Sequence, residues 1–259
     1  MLADQRRREI LNELSRTGSA ETLQLSARFE VSEMTIRRDL RQLEQENLVR
    51  CTHGGANFLG SPSVQEMVYS SKEKLHSGEK AGIARYAALE LVSDRDVIIL
   101  DPGTTAAGMV GHLRGKRELT VVSNSLPTTN ALQSLLPEAT VLCTGGILRQ
   151  ASLTFIGPTA EGFFAGFNAR KFFLSAIGCS LDKGLTDPQN LDTQVKQAMI
   201  RSAQQVIVLI DSSKFGVVST YTVMQLANAD ILVTDPGAPR EVLDQLRERG
   251  VDVRIVSGT

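Results

Sequence analysis

Tryptophan is absent from this sequence, and cysteine and histidine occur three times each. Cys51, Cys143 and Cys179 are odd in number and far apart, so no disulfide framework is expected, and free thiols in a reducing cytosol are. His53, His76 and His112 are scattered and offer no metal-ligand spacing; neither a metal nor another cofactor is expected. No run approaches the ~18 uncharged apolar residues of a membrane span. The N-terminal stretch "MLADQRRREI" has no apolar segment of the kind a secretion signal needs. A cytoplasmic location with no membrane partner is therefore expected. No Gly-x-Ser-x-Gly elbow is present, which leaves a Ser/His/Asp hydrolase unsupported. Strong net charge is missing too. At −1 overall, a nucleic-acid partner has to be argued from local placement and not from bulk attraction.

What is present is an ordinary globular balance, 42% apolar and 22% charged, in a chain long enough for two domains. In the first part, "RRREILNELSRTG" (6–18) places Ile10, Leu11 and Leu14 on one helical face, with Gly18 to end it. "ETLQLSARFE" (21–30) is a second short helix with Leu25 and Phe29 four apart. In "VSEMTIRRDLRQLEQENLVR" (31–50), Ser32 is a good N-cap, and Ile36, Leu40 and Leu43 fall on one stripe. Met34, Arg37, Arg38 and Arg41 share the same spacing on the other side and must face out, with Thr35 among them. A short helix, a tight turn and a second helix with an outward Thr/Arg face is helix-turn-helix geometry. "LVRCTHGGANF" (48–58) reads as two short strands joined at Gly54-Gly55, a wing that sets Arg50 and His53 beside a DNA backbone. Residues 1–58 carry nine arginines against nine acids, so bulk charge does not separate a DNA reader from a solvated three-helix domain. The single arginine stripe does, because local positive charge contacts phosphates even on a neutral domain. A winged helix that binds protein remains the alternative.

"SEMTIRRDLRQLE" followed by "RCTHGGA" resembles the N-terminal domain of the DeoR family of bacterial transcription regulators. Asn47 stands where that family usually has glycine closing the recognition helix; asparagine tolerates the left-handed conformation such a cap requires.

"LGSPSVQEMVYSSKEKLHSG" (59–78), rich in Ser and Lys, reads as a partly ordered linker between a 1–58 domain and a 79–259 domain. Beyond it, helical segments alternate with β-branched runs at 97–100, 119–122, 140–143, 171–177, 206–210, 231–233 and 253–256. That alternation predicts an α/β domain with a buried, mainly parallel sheet covered by helices on both faces. Ligands of such sheets bind beyond the carboxyl ends of strands, and four ends are polar or Gly-rich. They are "DPGTT" (101–105), "SNSL" (123–126), "TGG" (144–146) with Arg149 just beyond, and "DSSKFG" (211–216). A strand running into a short Gly/Thr turn and a helix start suits a phosphate.

"LDPGTT", "LTVVSNSL", "TGGILR", "FIGPTAE", "KGLTD", "VKQAMIRSA" and "DSSKFG" resemble the C-terminal sensor domain of the same family, in the family's order. The resemblance implies a ribose-5-phosphate-isomerase/CoA-transferase-like fold. It also implies a repressor of a sugar-catabolic operon that releases a double-stranded DNA operator on binding a phosphorylated sugar. By that resemblance the ligand contacts fall on Asp101, Gly103, Thr104, Thr105, Asn124, Ser125, Gly145, Gly146, Lys171 and Lys214. Asp187, after "GLT", is a further candidate.

An aldose–ketose isomerase needs a carboxylate base beside the C1/C2 protons. The positions that bear acids in the isomerases hold Ile177 and Thr193 or Gln194 here. Asp182 and Asp192 read as surface loop residues. Sensing without catalysis is the expectation, and a retained sugar-phosphate isomerase the alternative. Because one recognition helix reads only a few base pairs, a homodimer or homotetramer held through residues 79–259 is expected.

Overall fold

The computed structural model describes residues 2–45, 48–58 and 69–258, apart from the side chains of Ser15 and Arg16. The chain divides into two compact units, Met1–His76 and Ser77–Thr259.

In the first unit, α1 (Ala3–Thr17) ends where Gly18 adopts φ 79° and donates its N–H to the Leu14 carbonyl. A short strand β1 (Ser19–Glu21) leads into α2 (Thr22–Phe29) and α3 (Glu33–Gln45). Ile10, Leu11, Leu14, Leu25, Phe29, Ile36, Leu40 and Leu43 form one apolar core, as their 3.6-residue spacing requires. The wing is built from β2 (Val49–Cys51) and β3 (Gly55–Phe58). It differs from the expected two-stranded hairpin in having β1 as a third strand, in the order β1-β3-β2. Gly55 lies within β3 and not in the turn. It sits opposite Glu21, and a Cβ there would strike the Ala20 carbonyl.

The expected linker, 59–78, contains ordered structure in its second half. Residues 59–68 and the cap position Asn47 lie outside the described residues. Tyr69–Lys74 forms α4, Leu75 joins the core of the first unit, and the His76 N–H donates to Asn12 Oδ1 at 3.1 Å.

The second unit opens with α5 (Ser77–Glu90) and is organised by seven strands. They are β4 (Val97–Leu100), β5 (Thr120–Ser123), β6 (Thr140–Cys143), β9 (Ala169–Leu174), β12 (Ala203–Leu209), β14 (Ile231–Thr234) and β15 (Asp252–Ile255). They form one sheet in the order β15-β14-β12-β9-β4-β5-β6, and every ladder in it is parallel. Alternation along the strands supplies both faces. Ile98, Leu100, Val121, Phe173, Ile207 and Leu209 pack toward α5, the short α6 (Thr104–Ala107) and α7 (Leu126–Leu135). Ile99, Val122, Phe172, Leu174, Val206 and Val208 pack toward α8 (Pro158–Phe163), α9 (Asn190–Ser202) and α10 (Arg240–Glu248). Each fully buried Phe or Leu contributes about 1.5–3 kcal/mol to this arrangement.

Two smaller pieces were not foreseen, the hairpin of β7 (Ile147–Arg149) with β8 (Thr154–Ile156) and a three-stranded antiparallel sheet. The latter joins β10 (Gly178–Ser180), β11 (Gly184–Asp187) and β13 (Tyr221–Met224). Among the described residues no helix is long and apolar enough to cross a membrane.

From β4 the chain steps outward to β5 and β6, then returns to lay β9 on the other side of β4. The strand order therefore reverses between β4 and β9. A crevice outside the carboxyl ends of the strands is expected at that point.

Candidate functional site

The first candidate surface is on α3. Ser32 caps the helix by accepting the Thr35 N–H at 3.3 Å, and its hydroxyl lies 3.0 Å from Thr35 Oγ1. With the start thus held, Ile36, Asp39, Leu40 and Leu43 turn inward and Met34, Arg37, Arg38 and Arg41 outward. Met34, Thr35, Arg37, Arg38 and Arg41 together line one open depression. Met34 is 73% exposed. Arg37 leans on Glu33 at 3.5 Å. Arg50 and His53 are exposed on β2 and its turn, and the Cys51 N–H donates to Glu44 Oε1 at 2.7 Å, which ties the wing to α3.

Behind the exposed face lies a pair that sequence reasoning missed. Asp39 is almost fully buried, accepts from Arg6 Nε at 2.7 Å, and has Arg7 Nη1 at 3.6 Å. It joins α3 to α1 by an ion pair inside the apolar core.

The second candidate surface is the carboxyl edge of the large sheet, centred on the β4/β9 reversal. Asp101 follows β4 and is fully buried. Its Oδ2 accepts from the Gly103 N–H at 2.8 Å and from the Ser175 hydroxyl, while Oδ1 pairs with Lys196 Nζ at 3.0 Å. Lys196 also pairs with Asp187 Oδ2 at 2.7 Å and donates to the Ser175 carbonyl at 2.7 Å. Asp187 Oδ1 accepts the Ile177 N–H at 2.9 Å. Burial pushes the Asp101 carboxyl up, only partly offset by Lys196 and Ser175. Burial alone would lower the Lys196 ammonium, but Asp101 and Asp187 outweigh it and hold it above the ordinary lysine range. Gly103 has to be glycine because a Cβ would overlap Ser175 Oγ and lie 2.8 Å from Asp101 Oδ2.

Around this centre Thr104 and Thr105 begin α6. Asn124 follows β5, almost fully buried, its Nδ2 donating to the Phe155 carbonyl at 3.0 Å. Its Oδ1 has no hydrogen-bond partner among the described residues. Gly145 and Gly146 follow β6 with φ 64° and 113°; a Cβ on Gly146 would lie 2.7 Å from the Ile156 carbonyl. Lys214 is half-buried after β12, with no ion-pair partner among the described residues.

Several expectations change here. Lys171 is not at this edge. It lies near the amino end of β9 and pairs with the buried Asp96 at 2.8 Å, because the strand begins two residues earlier than its apolar run suggests. β9 likewise ends at Leu174 and not at residue 177. Ser125 is at the edge, but its hydroxyl caps α7 by accepting from Thr128 N–H and Oγ1–H. Asp187 is occupied internally, as described. Asp192 is not a surface loop residue: it is buried in the first turn of α9, accepts from Thr154 Oγ1 at 2.8 Å and pairs with Arg149 at 3.5 Å. Asp182 is exposed in a turn. Thr193 donates to the Gln189 carbonyl within α9.

Lys196 itself escaped sequence reasoning, since one lysine on a helix usually marks its solvated face. Its spacing was the available signal: it falls four residues after Asp192 and three before Met199, on the stripe that α9 buries. The three cysteines are free, and burial pushes the Cys179 thiol up to about 12.

A helix-turn-helix unit with an exposed arginine stripe, followed by a separate α/β unit, defines a two-domain DNA-binding regulator. Comparison with known proteins agrees. The profile described as "DeoR-like helix-turn-helix domain" matches residues 6–61, and "DeoR C terminal sensor domain" matches residues 75–236. The chain is 35% identical to an uncharacterized HTH-type transcriptional regulator, YulB, of Bacillus subtilis (strain 168), over 99% of this chain and 98% of that protein. It is 32% identical to the HTH-type transcriptional repressor GlcR of the same organism, over 98% and 97% of the two chains. It is also 32% identical to the transcriptional repressor AccR of Agrobacterium fabrum (strain C58 / ATCC 33970), over 87% and 86%. The chain belongs to the DeoR family and is a DNA-binding transcriptional regulator. Among solved structures it is similar to a ribose 5-phosphate isomerase from Plasmodium falciparum, at 17% identity, 53% and 52% coverage and a TM-score of 0.39. A likeness at that score says nothing of chemistry.

Proposed function

We propose that the protein represses a sugar-catabolic operon in the cytoplasm and leaves its operator when a phosphorylated sugar binds at the carboxyl edge of the second unit. In this reading Arg37, Arg38 and Arg41, with Met34 and Thr35, enter the major groove, while Arg50 and His53 meet phosphates on the flank. Ser32 contributes by fixing the start of the reading helix. One such helix covers few base pairs, so the protein binds as a dimer or tetramer paired through residues 77–259.

The observation that carries the sensing role is the burial and inward engagement of the carboxylates at the strand reversal. Asp101 holds the Gly103 N–H and the Ser175 hydroxyl on Oδ2 and faces the Lys196 ammonium with Oδ1 at 3.0 Å, and Asp187 accepts the Ile177 N–H and pairs with Lys196 at 2.7 Å. A general base has to reach the proton it abstracts, and both carboxylates are buried and turned toward protein groups. What remains open for a ligand is recognition chemistry. Thr104 and Thr105 lie at a helix start, Gly145 and Gly146 let backbone approach closely, Lys214 supplies positive charge, and Asn124 Oδ1 is an acceptor for a sugar hydroxyl. These elements support binding without turnover.

The test is a thermal-shift panel of phosphorylated and unphosphorylated sugars, followed by operator mobility shifts and an isomerase assay with each hit. The expected result is one phosphorylated sugar that releases the operator and is recovered unchanged. A hit converted to its isomer would establish the enzyme instead, and a panel with no hit would remove the effector reading.

A further inference from the structure

We propose that Lys196 is the positioning residue of the effector site, holding the Asp101–Thr105 turn in its binding shape without itself touching the ligand; this rests on the effector reading above. An ammonium has three protons to donate. Lys196 donates one to the Ser175 carbonyl at 2.7 Å and is ion-paired with Asp187 Oδ2 at 2.7 Å and Asp101 Oδ1 at 3.0 Å. The side chain is buried, with 7% exposure. All three neighbours are protein groups in a buried setting, so a direct ligand contact by this lysine would have to displace one of them.

Its partners show what it holds. Asp101 follows β4, Ser175 follows β9 and Asp187 ends β11, so a single cation ties together the two strands flanking the reversal and the small antiparallel sheet. Anchored by Lys196, the Asp101 carboxylate turns its other oxygen to the Gly103 N–H, which fixes the turn that starts α6. One helical turn earlier on α9, Asp192 reaches the β7–β8 hairpin through Thr154. That hairpin packs on Asn124 and on Gly146. Helix α9 thus supports opposite walls of the edge through two residues at i and i+4, and Lys196 is the one that reaches its centre.

Full-length Lys196→Met and Asp187→Asn proteins are compared with wild type in three measurements. Hydrogen exchange without ligand reads the turn directly: residues 101–107 of Lys196→Met should exchange at least ~tenfold faster while β12 keeps its protection. Asp187→Asn, which leaves Lys196 one carboxylate, should stay close to wild type. Operator affinity in the absence of sugar phosphate should be unchanged in both variants. Calorimetric titration with fructose 6-phosphate and with inorganic phosphate should show at least ~tenfold weaker binding by Lys196→Met alone. If Lys196→Met does not fold, the Lys196→Met/Asp187→Asn double variant, with one carboxylate fewer to strand, takes its place in all three.

Unchanged exchange at 101–107, equal loosening in Asp187→Asn, or loss of operator affinity together with β12 protection would each overturn the proposal. A wild type that binds neither probe would count against the effector reading, while the exchange comparison would still decide whether Lys196 orders the turn.

Discussion

Replacing Asp39 by alanine should uncouple DNA binding from the integrity of the second unit. The carboxylate is 2% exposed and its partner Arg6 7%, with Nε–Oδ2 at 2.7 Å. Removing one member of such a pair strands a charge in an apolar core and costs about 3–5 kcal/mol. The first unit spans Met1–His76; at ~0.05–0.15 kcal/mol per residue its entire stability is about 4–11 kcal/mol. The substitution therefore consumes a large part of that margin. For a unit this small each kcal/mol moves the melting temperature by about 4–8 °C, so its transition should fall by about 15 °C or more. The second unit, with separate cores, should melt where it did. Scanning calorimetry of the full chain resolves the two transitions, and a gel shift at 37 °C should find operator binding lost. Arg6→Met/Asp39→Leu supplies the control: with both charges gone, much of the lost stability should return, because the penalty comes from the unpaired ion and not from a missing contact. If Asp39→Ala shifts the first transition by less than about 4 °C, the pair is better hydrated than its burial implies and the reasoning fails.

Arg37→Ala or Arg38→Ala should weaken operator binding at least ~tenfold, the worth of about 1–3 kcal/mol for a bidentate base contact, without altering the melt; a gel shift equal to wild type for both would remove α3 as the reader. Arg50→Ala should weaken operator and random DNA alike and lower the slope of log affinity against log salt by about 1, as one lost phosphate contact requires. Thr104→Val/Thr105→Val removes two hydroxyls at nearly constant volume, so operator binding should persist while the sugar phosphate no longer releases it. A double variant released at the wild-type concentration would take the sensor away from that turn. Stability should also fall in alkali. The Lys196 ammonium is held above the ordinary value of 10.5, so above pH 10.5 the unfolded chain gives up a proton that the folded one keeps. The stabilisation is complete below that pH and disappears as pH climbs through the folded value. Urea titrations at pH 9 and pH 11 should show this loss in wild type and a smaller one in Lys196→Met; equal losses would mean other groups dominate.

Much of this was decided by local pattern. The inward stripe Ile36, Leu40, Leu43 and the outward stripe Met34, Arg37, Arg38, Arg41 follow from 3.6-residue periodicity, and the packed helix keeps both. All seven β-branched runs became strands of one parallel sheet, since a run buried on both faces has to be apolar throughout. The order of those strands is a long-range property, and with it came the reversal between β4 and β9 that brings Asp101, Ser175, Asp187 and Lys196 into hydrogen-bonding distance across 96 residues of chain (101 to 196). No periodicity says which buried lysine meets which carboxylate, or that Lys171 faces Asp96 at the opposite end of its strand. Nor could it show that β1 completes the wing, because a three-residue strand carries too little pattern to be seen until its partner is beside it. Period and composition determined which faces are buried. Which charges meet inside them was decided by the fold, because Coulomb pairing depends on distance in space and not on distance along the chain.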